Sequence, residues 1–293
     1  MGHNQSIMAI LGKINPLKVV KQVDFGVYLD GESDGEILLP KRYVPEGTAI
    51  GDILPVFIYT DSEDRIIATT EKPLALVGDF AFMEVVEVNS MGAFLEWGLM
   101  KQLFVPFREQ REPMEVGRRY PVFVYVDFET HRITASSKLS RFVDTTHPEL
   151  EEGQEVDLLL YQHTNLGWKA IINQLYSGVL YENEVFQPLS VGQQLKGYIK
   201  QVRTDDKIDL MLQKPGFEKV DDFSVNLHEQ LLAADGYLPV TDKSTAEIIY
   251  NRFGVSKKTF KKAVGDLYRK RLITLEPDGL HAVKPLAKPM IKH

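Results

Sequence analysis

Apolar positions over residues 1–215 fall in short runs of β-branched and aromatic residues, broken by glycine, proline and acidic turns, with no long helical stripe among them. The runs repeat. Three segments align on a glycine: VKQVDFGVYLD at 20–30, VEVNSMGAFLE at 86–96 and YQHTNLGWKAI at 161–171, centred on Gly26, Gly92 and Gly167. A second glycine, Gly51, Gly117 or Gly192, follows each at the same interval of 25 residues, and Pro40, Pro106 or Tyr181 stands 14 residues after the first. Strand-like runs come next, DILPVFIYT, RRYPVFVYV and QQLKGYIKQV, and each unit closes on a basic residue and an isoleucine: Arg65-Ile66, Arg132-Ile133 and Lys207-Ile208. Asp61-Ser62-Glu63-Asp64 and Thr204-Asp205-Asp206 supply turns between the fourth and fifth strands.

A unit this small with four or five strands must curl to cover its edges, and a five-stranded barrel of the OB type does so economically. The leading glycine is expected between strands one and two, at a bulge or tight bend. Beyond residue 215 the period changes. Phe223, Leu227, Leu231 and Leu232 make a helical stripe that breaks at Asp235-Gly236. Ser244 is placed to cap a helix through Phe253, with Glu247 completing a capping box, and Gly254 makes the turn. Ser256 caps a third helix whose buried stripe is Phe260, Val264, Leu267 and Leu272. Pro277-Asp278-Gly279 turns a closing hairpin, and the end, with Pro285 and Pro289, is expected to fray. The predicted architecture is multidomain: three small all-β OB-fold barrels over residues 1–76, 77–146 and 147–215, then an α+β winged-helix domain over 216–293.

Charge complicates a nucleic-acid reading. The formal charge is −7, but residues 1–220 hold 22 Lys and Arg against 32 Asp and Glu, whereas residues 221–293 hold 12 against 9. Binding by the barrels must therefore use local patches and be sensitive to salt. The chain has no cysteine, which removes disulfides, thiolate metal sites and cysteine nucleophiles. No apolar run is long enough to span a bilayer, and Ile7 to Leu11 is too short for a signal-peptide core, so a cytoplasmic protein without membrane partners is expected.

Barrels of this type bind single-stranded nucleic acid on the face of their central strands, stacking bases on aromatics and holding phosphates with Lys and Arg. The candidates in unit one are Phe25 and Tyr28, flanked by Lys21, Lys41, Arg42 and Arg65. Unit two offers Phe94 with Phe107, Arg108, Lys101 and Arg132. Unit three has Tyr181, Trp168, Lys169 and Lys207, but Leu166 and Lys169 stand where Phe25 and Tyr28 do. Each aromatic could instead fill a barrel core or pack between units. In the third helix, Lys257, Lys258, Lys261, Lys262 and Arg269 could enter a DNA groove, grip RNA phosphates or form a docking surface.

DFGVYL, and approximately SMGAFL, resemble the aromatic-glycine-small-aromatic pattern of the S-one RNA-binding domain, and Asp61 to Ile66 and Asp127 to Ile133 resemble its closing segment. The resemblance implies RNA contact by Phe25, Tyr28, Asp61 and Arg65, and by Phe94, Asp127 and Arg132. The usual strand-three histidine of that family falls on Pro40, Pro106 and Tyr181, and Arg203 replaces the aspartate in unit three, the most divergent of the three. Three such units followed by a winged helix resemble the conserved virulence factor B family of bacterial RNA-binding regulators. Membership would imply post-transcriptional regulation through single-stranded RNA, with duplex DNA as the competing partner and a protein-interaction scaffold as the third reading.

Enzyme chemistry finds little support. There is no phosphate-binding glycine loop and no recognisable nucleophile elbow, and the seven histidines show no metal-ligand spacing. No catalysis, cofactor or metal is expected.

Overall fold

The computed structural model describes residues 9–146, 148–185, 187–213 and 220–283. The expected fraying at Pro285 and Pro289 lies outside them. The first barrel is built from β1 (Ile14–Val23), β2 (Gly26–Asp30), β3 (Glu36–Pro40), β4 (Ile53–Thr60) and β5 (Ile66–Thr69), closed in the order β1-β2-β3-β5-β4. The second uses β6 (Phe80–Val88), β7 (Gly92–Leu95), β8 (Leu103–Pro106), β9 (Arg119–Val126) and β10 (Ile133–Ser136). The third uses β11 (Glu155–Thr164), β12 (Gly167–Ile172), β13 (Tyr176–Tyr181), β14 (Gln194–Val202) and β15 (Ile208–Met211). Strand order is the same in all three, with β3 and β5 and their counterparts parallel and the other neighbours antiparallel. Every barrel is thus closed and leaves no free edge.

The glycine spacing has a geometric cause. Gly26, Gly92 and Gly167 open the second strand of each barrel and pair directly with Pro40, Pro106 and Tyr181. The backbone approach is so close that a Cβ there would lie 2.2 Å from the Leu39 carbonyl oxygen, 2.3 Å from that of Val105 and 2.1 Å from that of Leu180. The glycine marks a tight bend; the bulge lies elsewhere, in the first strand, between Val19 and Lys21, Val85 and Glu87, and Leu160 and Gln162. The second glycine serves that bulge. The amides of Gly51, Gly117 and Gly192 donate to the carbonyls of Val19, Val85 and Leu160 at 2.8, 2.8 and 2.7 Å. Gly26 and Gly167 also pair with the end of that first strand, at Val23 and Thr164, so both glycines of the unit bear on it.

The barrels pack serially. In β4, Val56 and Ile58 point into barrel one, while Phe57 and Tyr59 point outward into the core of barrel two. Phe57 meets Trp97 edge to face at 5.5 Å, and the Trp97 indole donates to the Ala75 carbonyl at 2.8 Å. Between barrels two and three, Phe80, Leu139, Leu159, Tyr161 and Ile171 form a separate buried cluster. Phe123 stacks on Phe142 beside it at 4.4 Å.

The C-terminal domain comprises α1 (Val220–Ala233), β16 (Tyr237–Leu238), α2 (Ala246–Phe253), α3 (Lys257–Arg269), β17 (Ile273–Glu276) and β18 (Gly279–Ala282), with sheet order β16-β18-β17. Its core unites Phe223, Leu227 and Leu231 with Ile249, Phe260, Val264 and Leu267. Three details correct the sequence reading. Thr245, not Ser244, caps α2, because the Ser244 hydroxyl already accepts from the Thr241 amide at 2.9 Å in the preceding turn; this shifts Glu247 out of capping-box position. Leu232 is 54% exposed, one residue off the buried stripe. Leu272 falls beyond the end of α3 and is 36% exposed. Ser256 caps α3 as expected, accepting from the Thr259 amide at 3.1 Å.

Candidate nucleic-acid interface

Strand register sets one row of outward residues across each barrel. In barrel one the row is Lys21, Tyr28, Leu38 and Ile67, across β1, β2, β3 and β5. Tyr28 faces out because its neighbours Val27 and Leu29 fill the core. The Lys21 ammonium lies 5.3 Å from the Tyr28 ring centroid. Phe25, in the bend before β2, is 57% exposed and meets Tyr28 edge to face at 6.3 Å. An ammonium, a ring and a free aromatic edge thus form one platform. Lys41 and Arg42 are exposed on the single helical turn just after β3, and the Arg42 guanidinium lies over Tyr43 at 4.6 Å.

Barrel two changes the chemistry of the row to Glu87, Phe94, Phe104 and Thr134. Phe94 and Phe104 lie 5.1 Å apart in a cleft of about 360 Å³ between barrels one and two, with Met91, Trp97 and Met100 along it and Arg132 on its border. Phe104 was missed from sequence because its role comes from pairing with Phe94 across β7 and β8. Arg132 reaches across to Asp64 of barrel one. Lys101 is half-buried and donates to the Thr60 and Asp61 carbonyls at 2.7 and 2.8 Å; burial pulls its pKa down. Both residues fasten barrel two to barrel one.

The two aspartates organise the turns that close the barrels. Asp61 accepts from the Glu63 and Arg65 amides and from the Arg65 guanidinium at 2.7 Å. Asp127 accepts from the Glu129 and Thr130 amides, and from Arg108 at 2.7 Å. The Thr130 amide above all, against opposing burial and with help from the Thr130 hydroxyl and Arg108, holds the Asp127 carboxyl below its ordinary range. Phe107 is 52% exposed beside Arg108, and Phe128, which sequence reasoning did not single out, is 90% exposed in the turn between β9 and β10.

In barrel three the row becomes Gln162, Lys169, Val179 and Asp209. Tyr181 commits its hydroxyl to Asp209 at 2.9 Å, and the Lys200 ammonium lies 5.7 Å from its ring. Trp168 leans on the core and stacks against His163 at 4.4 Å. Lys207 pairs with Asp205 at 2.7 Å, and Leu166 takes the exposed place of Phe25. On α3, Lys258, Lys261 and Lys262 are exposed without an ion pair among the described residues. Lys257 reaches the Lys243 carbonyl at 3.5 Å, and Arg269 sits 3.8 Å from Asp266. Among the described residues no group of three or more His, Cys, Asp or Glu could hold a metal ion, and no helix is long and apolar enough to cross a membrane.

Barrels with this topology and a terminal winged helix define a class of nucleic-acid-binding protein. The S1 domain family matches residues 11–71 and 77–138, and the CvfB-like winged helix domain matches residues 226–281. Over most of its length the chain is similar to proteins named conserved virulence factor B. A relative of that name from Staphylococcus saprophyticus is 22% identical over 91% of this chain and 92% of its own length. Another from Staphylococcus aureus is 23% identical over 94% of this chain and 95% of its own. A solved structure described as a multidomain protein with nucleic acid binding domains from Streptococcus pneumoniae is 22% identical, covering 93% of this chain and 98% of that one, at a TM-score of 0.40.

Proposed function

We propose that this protein is a non-catalytic, cytoplasmic RNA-binding regulator that holds single-stranded RNA on the outward rows of barrels one and two, with α3 adding phosphate contacts. The observation that carries the reading is the exposed platform of Phe25, Tyr28 and Lys21. An aromatic left 57% exposed at a barrel rim, edge-on to a second ring under an ammonium, suits an unstacked base with its phosphate alongside. The cleft in barrel two pairs Phe94 with Phe104 at 5.1 Å and offers a second stacking surface, with Arg132 at its border held by Asp64. Asp61 and Asp127 act here by orienting Arg65 and Arg108. Post-transcriptional regulation is what the family resemblance implies.

The test compares single-stranded RNA, single-stranded DNA and duplex DNA by gel shift with the full chain at two salt concentrations. Single-stranded RNA should bind tightest, and Phe25→Ala with Tyr28→Ala should weaken it by roughly 1–3 kcal/mol per stack removed. Unchanged affinity with intact circular dichroism would remove the platform from the site. The exposed lysines of α3 favour one second reading, a duplex-DNA binder, which predicts the opposite order of affinities.

A further inference from the structure

A second charged site lies between barrels two and three, in a cleft of about 700 Å³. Barrel two contributes Arg111, Arg118, Arg119, Lys138 and Arg141 to its walls, and barrel three contributes Lys169. Glu112 is the one acidic residue among the lining. This inverts the local rule, since over residues 1–220 acidic residues outnumber basic ones 32 to 22. Folding gathers these cations from the loop after β8, the start of β9, the segment after β10 and the outward row of β12. Their charge is only partly spent. Arg118 pairs with Glu115 at 3.0 Å and Arg141 with Glu109 at 2.9 Å. Arg119 donates to the Phe82 carbonyl at 2.9 Å and lies over the Phe82 ring at 5.1 Å, which orients it without neutralising it. Arg111, Lys138 and Lys169 make no ion pair among the described residues.

We propose that this cleft binds the phosphodiester backbone of single-stranded RNA, a proposal that rests on the RNA-binding reading above. The floor argues for backbone rather than bases. Its tyrosines, Tyr120 and Tyr161, are each 8% exposed, with the Tyr161 hydroxyl engaged by Ser177 at 3.0 Å, and the His163 ring on the wall is already stacked on Trp168 at 4.4 Å and hydrogen-bonded to Glu182 at 2.8 Å. Lys169 supplies the link to barrel three. It holds the place on β12 that Tyr28 holds on β2, so barrel three has exchanged a stacking residue for a charge that opens into the cleft. The third barrel therefore contacts RNA through phosphates, with barrel two completing its site.

The experiment measures a 20-nucleotide single-stranded RNA binding to the full chain across a salt series. The triple variant Arg111→Gln, Lys138→Gln, Lys169→Gln should bind roughly tenfold more weakly, with the salt slope falling by about 2, or about 0.7 for each phosphate of a single strand that is no longer neutralised. The charge-keeping variant Arg111→Lys, Lys138→Arg, Lys169→Arg should restore both, which separates charge from folding. The Phe25→Ala, Tyr28→Ala variant should lose affinity with its slope unchanged. Wild-type affinity and slope in the glutamine variant would overturn the cleft while leaving the barrel-one platform standing. Weakening confined to the glutamine variant, with the phenylalanine and tyrosine substitutions silent, would support the cleft and overturn the platform. No binding of this RNA by the wild-type chain at low salt would overturn both.

Discussion

Gly26 faces the Leu39 carbonyl across β2 and β3 with no room for a methyl group. Gly26→Ala would place a Cβ 2.2 Å from that oxygen, and the strands would have to part around a ladder that also carries Val27 and Leu29 into the core. The expected cost is about 1–3 kcal/mol, as for other overpacked sites, measured by urea unfolding of the full chain. An alanine variant as stable as wild type would show that the close approach is not required. The same residue type was readable in sequence, but not its reason. Sequence placed a bulge or bend at the glycine, whereas the bulge sits in β1 and its partner is the second glycine. Side-chain roles divide in the same way. The placement of Phe25 and Tyr28 on the outside of barrel one was legible because the aromatic-glycine pattern around the bend is local. Lys101, Arg132 and Asp61 stood in the right pattern, yet Lys101 and Arg132 fasten barrels together and Asp61 braces a turn, contacts set by residues at a distance in the chain.

Strands with both faces buried carry the architecture at the next scale. Phe57 is 1% exposed although it points away from the core of its own barrel, because β4 is covered by barrel one on one side and barrel two on the other. β11 follows the same logic: Leu158 and Leu160 face inward, Leu159 and Tyr161 toward barrel two. The runs VFIY and LLLY break the in-out alternation expected of a solvated barrel strand, and that break was the sequence trace of the interfaces. Which barrel covers which strand was not readable from it. Phe57→Ala should cost about 3–5 kcal/mol, as expected for removing a buried ring and leaving a cavity. Tryptophan emission gives the readout, because Trp97 packs directly on the ring. A cost under about 1 kcal/mol would mean that β4 is not wedged between the barrels.

At the scale of the whole molecule, the proposed function has acidic barrels and a basic terminal domain share one polyanionic partner. In that reading the barrels contribute Lys21 at the platform of barrel one and the gathered cations of the cleft between barrels two and three. The terminal domain meets it with α3, where Phe260, Ala263, Val264 and Leu267 face the core and leave Lys258, Lys261 and Lys262 on the outer surface. None of these three lysines holds the fold, so their replacement isolates charge from structure. Lys258→Gln, Lys261→Gln and Lys262→Gln together should weaken single-stranded RNA binding by the full chain and lower its salt slope by about 2, equally for RNAs of different sequence. The measurement is anisotropy over a salt series with single-stranded RNA and duplex DNA in parallel. If duplex DNA alone loses affinity, α3 reads a groove and the chain is a DNA binder that carries its barrels for another purpose. If RNA and DNA are both unaffected, α3 serves the fold or a protein surface, and the barrels bind RNA without it.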